Sequence, residues 1–565
     1  MVRELTAARG CSLTSPATSP ASGRLLPNST GPDNTVSAIE SWLEDCLKSH
    51  DGCARSAFSA DVSGRTGARF LKIEEDRLLL LQDISPAQYI CLSHCWGGGE
   101  GILRTTESNF IDHSNGGIPM GSLPATFKDA VTICRLLKVS YLWIDSLCII
   151  QDSDEDWRSQ SATMADIYAN AFLTIAASDS ENATKGLFRT ADPDFRGKPL
   201  PGHSGVYVRP LKDSGITWPL LKRAWVFQEL VLSPRVVHFG PNEIIWQCRR
   251  AVKSQGRKRE EVISTSIHDL NMISRAKEKL QSKDSNLTAI WHEMVRLYSQ
   301  RRLTYSKDRL PAIAAIAKTM QSLRPGDEYI AGIWRSTLFF DMLWRTRFGQ
   351  AEWTEGLLAA VKKRMAGSIP TWSWASINAG VEWGVADTVL SNVEILEVRY
   401  TVHGPTVSGA ITEAAITLRC PLISFWDIRH RLDVPISLEE AINERISPGS
   451  NEMTHDNPQW DDVGLAPCHD IQARLCLLFL ALKQGPSIWP GDRQRALIVM
   501  EKDRPDHYVR LGIVDVHYAG WWAITLRPGD PGYVEGYHVD GLTEKYNDRL
   551  KEMLEEMDTE IVTLL

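Results

Sequence analysis

The chain has 565 residues, 43% of them hydrophobic and 23% charged, with a formal net charge of −8 and a pI near 6.0. That length supports several domains with sizeable cores, and the acidic balance argues against a nucleic-acid surface, which needs a basic face. No apolar run approaches the roughly 18–20 residues of a membrane span, and the N-terminus has no apolar signal region, so a cytoplasmic protein is expected, with the nucleus as the other compartment.

Residues 1–34 are rich in Ser, Thr, Ala, Pro and Gly and poor in large apolar residues, so they are expected to be a disordered tail. Order is expected from Ser37, where Ser37-Ala-Ile-Glu40 has the form of a capping box and Ile39, Trp42, Leu43 and Cys46 line one helical face. Cys46, His50 and Cys53 follow one another closely enough to be metal ligands. They lack a fourth donor nearby and the paired C-x-x-C spacing, so they read as core thiols beside a helix-end histidine, and no metal site is assigned. The 11 cysteines, odd in number and without a repeated C-x-x-C, fit reduced thiols better than a disulfide framework.

Tyr89-Ile-Cys-Leu-Ser93 is a short apolar strand that opens into His94, Cys95, Trp96 and then Gly97, Gly98 and Gly99. Glycines let backbone N–H groups approach a phosphate, and Trp96 offers a ring for stacking. Neither G-x-G-x-x-G nor G-x-x-x-x-G-K-[ST] occurs, so no Rossmann fingerprint or P-loop is assigned.

The segment Leu123–Asp152 predicts a helix followed by a buried strand. Phe127, Ala130, Val131, Cys134 and Leu137 recur at helical spacing, and Tyr141-Leu-Trp-Ile144 is a run suited to a strand covered on both faces. It stops at Asp145. In open α/β sheets the ligand crevice lies beyond the carboxyl ends of the strands, which places Asp145, Ser146, Gln151 and Asp152 where sites form, although an Asp in that position also caps the next turn.

Trp157, Met164, Ile167 and Tyr168 mark a further helix, Ala171–Ala177 a further strand, and Leu221–Val231 a helix ended by Pro234. Arg235–Phe239 and Glu243–Trp246 read as a hairpin across Gly240-Pro241-Asn242. This alternation predicts an α/β domain with a mainly parallel sheet and flanking helices over residues 35–250. The run Arg249, Arg250, Lys253, Arg257, Lys258 and Arg259 reads as a solvated basic linker, 251–260. Helical stripes dominate 261–384. Strands such as Ala496–Met500 and Tyr508–Val514 make 385–565 a β-rich α+β region, closed by a helix over Leu542–Leu565. The 19 tryptophans point to large packed interfaces.

Three segments together resemble the fungal heterokaryon-incompatibility, or HET, domain: Tyr89-Ile-Cys-Leu-Ser-His-Cys-Trp-Gly97, Leu123 through Gln151, and Arg223-Ala-Trp-Val-Phe-Gln-Glu229. Their order and spacing match the family over about residues 35–250. Asp308-Arg-Leu-Pro-Ala312, Tyr329–Trp334 and Pro370–Ala375 resemble the region that commonly follows it. His94 is a departure, since the family more often has Tyr there.

The resemblance implies a part in non-self recognition and a regulated death response. It also implies a fold similar to Toll/interleukin-1 receptor (TIR) domains, with a flavodoxin-like sheet, some of which hydrolyse NAD. Trp225-Val-Phe-Gln-Glu229 has the W-x-x-x-E pattern that carries the catalytic glutamate of those enzymes, so Glu229 is the implied catalytic residue and Trp225 a pocket wall. Expulsion of neutral nicotinamide needs no general acid, so one carboxylate suffices. Ser93, Trp96, Gly97, Gly98 and Asp145 are then candidate contacts to NAD as substrate, with no cofactor required.

Two other readings use the same residues. An amphipathic helix with a core tryptophan and a solvated or salt-bridged acid explains Trp225 and Glu229 without chemistry. A non-enzymatic signalling module that self-associates or binds a protein partner keeps the same fold. A thiol hydrolase built on Cys95 or Cys148 with His94 fits poorly, because neighbours on a strand point to opposite faces.

Overall fold

A computed structural model describes residues 25–54, 68–98, 102–199, 201–202, 207–208, 218–256, 265–279, 286–346, 368–383, 388–403, 410–424, 459–460, 475–483, 493–501, 507–516, 557 and 559–565. The chain divides into two compact units, Met1–Ile290 with Arg301–Thr304, and Trp291–Gln300 with Tyr305–Leu565.

The first unit is built on a nine-stranded sheet. Its strands are β1 (Arg69–Ile73), β2 (Arg77–Gln82), β3 (Ile90–Ser93), β4 (Ile118–Pro119), β5 (Tyr141–Ile144), β6 (Leu173–Ala176), β7 (Arg235–Phe239), β8 (Ile244–Cys248) and β9 (Val252–Ser254). Their spatial order is β9-β8-β7-β6-β3-β5-β1-β2-β4. Only the centre is parallel: β5 with β3, β3 with β6, and β6 with β7, in registers that set Leu92 beside Ile144, Ser93 beside Ala176, and Ala176 beside His238. The two wings are antiparallel.

Counted among the parallel strands alone, the order is second, first, third, fourth, the order of flavodoxin-type doubly wound sheets, whose ligand crevice opens between the first and third strands. Those two are β3 and β6. The crossovers run outward in opposite directions from this point, so right-handed connections put their helices on opposite faces. The helices longer than four residues are α1 (Pro32–Ser49), α2 (Phe110–Asn115), α3 (Ala125–Leu136), α4 (Asp154–Asn170), α5 (Ala224–Leu232) and α6 (Thr265–Lys279) among the described residues. Accordingly α3 packs with α1 and β5, whereas α4 packs on α5, and α5 on α6. All four residues of β3 and β6 are buried, as strands covered on both faces require.

Several elements differ from the sequence reading. Helix α1 begins at Pro32 rather than Ser37, with Thr35 Oγ1 donating to Gly31 O at 3.0 Å, so the apparent capping box lies inside the helix. Residues 1–24 of the expected tail lie outside the described residues, as do Gly99 and Arg257–Arg259. Within the stretch read as a linker, Val252–Ser254 pairs with Ile245–Gln247 as an edge strand. Arg249 is buried rather than solvated, its Nη1 donating to Gly52 O at 2.6 Å. The β1–β2 hairpin was not anticipated.

The second unit has its own helices, including Leu287–Ser299, where the division between units falls, and Ala314–Leu323. Its nine-stranded sheet runs in the order Thr388–Val389, Leu475–Lys483, Arg493–Glu501, His507–Val516, Glu560–Leu564, Ala410–Cys420, Glu394–His403, with Leu422–Ser424 and Gln459–Trp460 pairing off that path. The expected closing helix is corrected at its end, because Glu560–Leu564 is a strand; most of Leu542–Met557 lies outside the described residues. β-Branched Ile561, Val562 and Thr563 favour that outcome. Tryptophans fill the core here: Trp291, Trp334, Trp344, Trp372 and Trp374 are fully buried, and Trp291 meets Trp334 edge to face at 5.8 Å. Among the described residues no helix is long and apolar enough to cross a membrane.

Candidate functional site

The carboxyl end of β3 carries Ser93, and across the crevice α5 presents Glu229. Helix α5 starts where the chain is forced straight: the 3-10 turn Leu220–Lys222 ends at Arg223, which is extended and forms an isolated bridge with Arg302 of the same unit. Ala224 N then donates to Arg302 O at 2.9 Å, fixing the first turn of α5. Apart from half-buried Trp225, every residue of α5 is buried, so the solvated acid of an amphipathic helix is excluded.

Ser93 Oγ donates to Glu229 Oε2 at 2.5 Å, the length of a charge-assisted O–H···O bond. Glu229 is only 6% exposed. Burial, and secondarily the charge of Asp145, push its carboxyl up from 4.5 to about 7, while the Ser93 hydroxyl, the Arg223 guanidinium and the Tyr168 hydroxyl pull the other way. Tyr168 lies on α4, and its hydroxyl also reaches Leu92 O at 3.4 Å.

Asp145 follows β5 directly, as the first residue of the short helical turn Asp145–Cys148. Its Oδ1 accepts from the adjacent Ser146 N at 2.8 Å, and its Oδ2 accepts from Trp96 Nε1 at 2.9 Å. The side chain retains 22% exposure, so it forms the open edge of the cluster. Gln151 Nε2 donates to Asp145 O and Ile149 O, and Asp152 accepts from Glu107 N, so both hold the loop in shape. Buried Arg69 braces the same loop through Cys148 O at 3.2 Å and an ion pair with Asp156, which also accepts from Ile150 N.

His94 lies under the cluster. Its Nδ1 is 3.6 Å from Asp145 Oδ1 and its ring meets Phe127 edge-on at 5.0 Å; burial lowers its pKa to about 4, so it is neutral. Its carbonyl accepts from Arg223 Nη1 at 2.5 Å, which ties the end of β3 to the start of α5. Cys95 and Cys148 are buried and pushed up to about 11 and about 12, so neither supplies a thiolate near neutrality.

Thus the fold brings Ser93, Glu229, Asp145 and Trp96 into one cluster at the switch point. Gly97 and Gly98 follow it, exposed and with φ of 69° and 83°. Trp225, one turn before Glu229 on α5, is half-buried and meets Trp157 edge-on at 6.2 Å. Tyr168 and Arg223 complete the set. Tyr168 shares the helical spacing of Trp157, Met164 and Ile167, and a tyrosine hydroxyl on a buried face must find a partner, which is the clue the sequence offers.

A Cβ at position 97 would lie 2.2 Å from Asn182 Cβ, besides facing the left-handed backbone penalty. Gly97→Ala is therefore expected to cost the first unit roughly 2 kcal/mol, read as a lowered thermal transition.

This is an α/β domain of doubly wound type with a buried acid at the crevice between its first and third parallel strands. Residues 89–229 match the model of the heterokaryon incompatibility protein (HET) family, a segment that begins one residue before β3 and ends on Glu229, and the chain is a HET-domain protein. It is 28% identical over 127 residues to heterokaryon incompatibility protein 6, OR allele, of Neurospora crassa, across 20% of this chain and 18% of that protein. The chain thus matches less than a fifth of that relative's length. No solved structure matches the chain.

Proposed function

We propose that this chain acts in fungal non-self recognition, where its HET domain triggers a death response by cleaving NAD at the Ser93–Glu229–Asp145 cluster. The observation that supports this reading best is Glu229 itself, a buried carboxyl poised to about 7 at the carboxyl ends of the parallel strands.

In the reaction the bond between nicotinamide and ribose C1′ breaks, the electron pair leaves with neutral nicotinamide, water adds to C1′, and one proton is released to solvent with ADP-ribose. Glu229 in its carboxylate form stabilises the developing oxocarbenium ion. Asp145, at the open edge, accepts from a ribose hydroxyl. The backbone N–H groups at Gly97 and Gly98 are suited to phosphate, and the half-exposed Trp96 ring to stacking on a base.

The second reading, a recognition module without chemistry, draws support from the saturation of Glu229 by Ser93 and Tyr168 in a nearly closed position. Purified full-length chain incubated with NAD separates the two. Nicotinamide release that falls at least about a hundredfold in Glu229→Gln is the expected result. Release unaffected by that substitution would rule out the role of Glu229, and cell death on expression without NAD loss would establish the recognition module.

A further inference from the structure

The structure supplies the donor that the sequence withheld from Cys46, His50 and Cys53. Cys46 lies in the last turn of α1, His50 caps that helix, and Cys53 follows in a tight turn, its N–H donating to His50 O at 2.9 Å. Cys248, the last residue of β8, arrives at the same point. The three sulfurs and the histidine nitrogen all lie within 4.8 Å of one another. Cys248 Sγ is 3.5 Å and Cys53 Sγ 4.0 Å from His50 Nδ1. None of the three cysteines forms a disulfide.

We propose that Cys46, His50, Cys53 and Cys248 form a structural zinc site. A tetrahedral zinc with sulfur ligands at about 2.3 Å and nitrogen at about 2.0 Å has S···N edges near 3.5 Å and S···S edges near 3.8 Å, so the four donors need only small side-chain adjustments to close on the ion. Three cysteines and one histidine are a recurrent structural ligand set, and with four protein ligands no position stays open for substrate. On binding, the three thiols release their protons to solvent.

The surroundings suit thiolates. Arg250 N–H donates to Cys248 Sγ at 3.5 Å, a bond of the kind that orients ligands from outside the coordination sphere. Three thiolates and one zinc leave a net charge of −1, and two buried guanidiniums grip the ligand loop: Arg235 Nη1 donates to Cys53 O at 2.8 Å and Arg249 Nη1 to Gly52 O at 2.6 Å. The site would cross-link the amino-terminal helix to the antiparallel wing of the sheet. Other contacts already bring the two together: Trp42 meets Trp246 at 6.3 Å, Gln255 Nε2 donates to Asn34 O, and Lys253 pairs with Asp45. Only Cys46, His50 and Cys53 are close in sequence, which is why the fourth donor could not be found by spacing.

Full-length chain purified from zinc-supplemented cells without chelator is expected to carry about one zinc per chain by elemental mass spectrometry, falling to traces in Cys46→Ser and Cys248→Ser. His50→Cys, which preserves four ligands, is expected to keep the metal and the fold, so loss of zinc in the serine variants cannot be ascribed to misfolding alone. The cobalt-substituted chain should show thiolate charge-transfer and tetrahedral ligand-field bands. A folded wild-type chain that takes up no zinc, zinc retained in Cys248→Ser, or a disulfide among Cys46, Cys53 and Cys248 in the native chain would overturn the assignment.

Discussion

Between pH 4.5 and about 7, Glu229→Gln is expected to gain roughly 3 kcal/mol of stability relative to the wild-type chain. Burial raises the Glu229 carboxyl first, and the nearby Asp145 charge adds to it, so the folded chain keeps a proton at Glu229 that the unfolded chain has already released. The folded state therefore binds more protons across this window, and its stability falls as pH rises through it. Below 4.5 both states are protonated and the wild type pays nothing; above about 7 both are ionised and the deficit is constant. Glutamine mimics the protonated carboxyl at every pH, so the variant lacks this slope.

Three of the described histidines slope the other way. His94 and His238, lowered by burial from 6.5 to about 4 and about 3, and His113, also lowered by burial, make the folded chain less stable as pH falls below 6.5. All three remain in both proteins, and none owes its shift to Glu229, so they cancel in the comparison. Denaturation across pH, with exchange protection of β3 and α5 amides isolating the first unit, provides the measurement. Wild-type and Glu229→Gln profiles that run parallel would show that the carboxyl titrates in the fold as it does in the open chain.

How much of this could be read from the sequence depended on how local the cause was. The strand Tyr141–Ile144 was legible because an apolar run meets a charge at Asp145, and the β7–β8 hairpin because Gly240-Pro241-Asn242 punctuates it. The start of α1 was missed because Ser37 and Glu40 mimic a capping box inside a helix that begins at a proline. The antiparallel wings were not legible, since nothing local in Arg77–Gln82, with four consecutive leucines, tells which strand it will join.

The site followed the same rule. Ser93, Asp145 and Glu229 were recognisable singly as strand-end and helix residues, but their meeting is a product of the strand order, and Ser93 and Glu229 are 136 positions apart. Helical spacing puts Trp225 one turn from Glu229 but cannot say that α4 sets Trp157 edge-on beside it. The union of Cys248 with Cys46, His50 and Cys53 belongs to the same class of fact.

In the second unit, Gly332→Ala is expected to destabilise the fold by about 3 kcal/mol, because one residue meets two separate requirements. Tyr329–Ile330 and Ile333–Trp334 pair across a two-residue turn in which Ala331 and Gly332 have φ of 47° and 99°, the positive pair that a type I′ hairpin needs. The Gly332 carbonyl then accepts from two buried indoles, Trp291 Nε1 at 3.0 Å and Trp374 Nε1 at 2.7 Å. A Cβ at 332 would sit 2.7 Å from the Trp374 nitrogen and 3.3 Å from Leu310 Cδ2, so it pushes on the indole that the carbonyl holds. Freeing either indole N–H in a buried site adds an unsatisfied donor to the backbone strain. Ala331→Gly provides the control: it relieves a left-handed alanine while loosening the unfolded chain, two effects of about 1 kcal/mol that oppose each other. Thermal unfolding followed by near-ultraviolet circular dichroism of the tryptophans should therefore show a lowered transition for Gly332→Ala and a nearly unchanged one for Ala331→Gly. Equal transitions for the two variants would mean that neither the positive φ at Gly332 nor the approach of a Cβ to the Trp374 indole carries the expected cost.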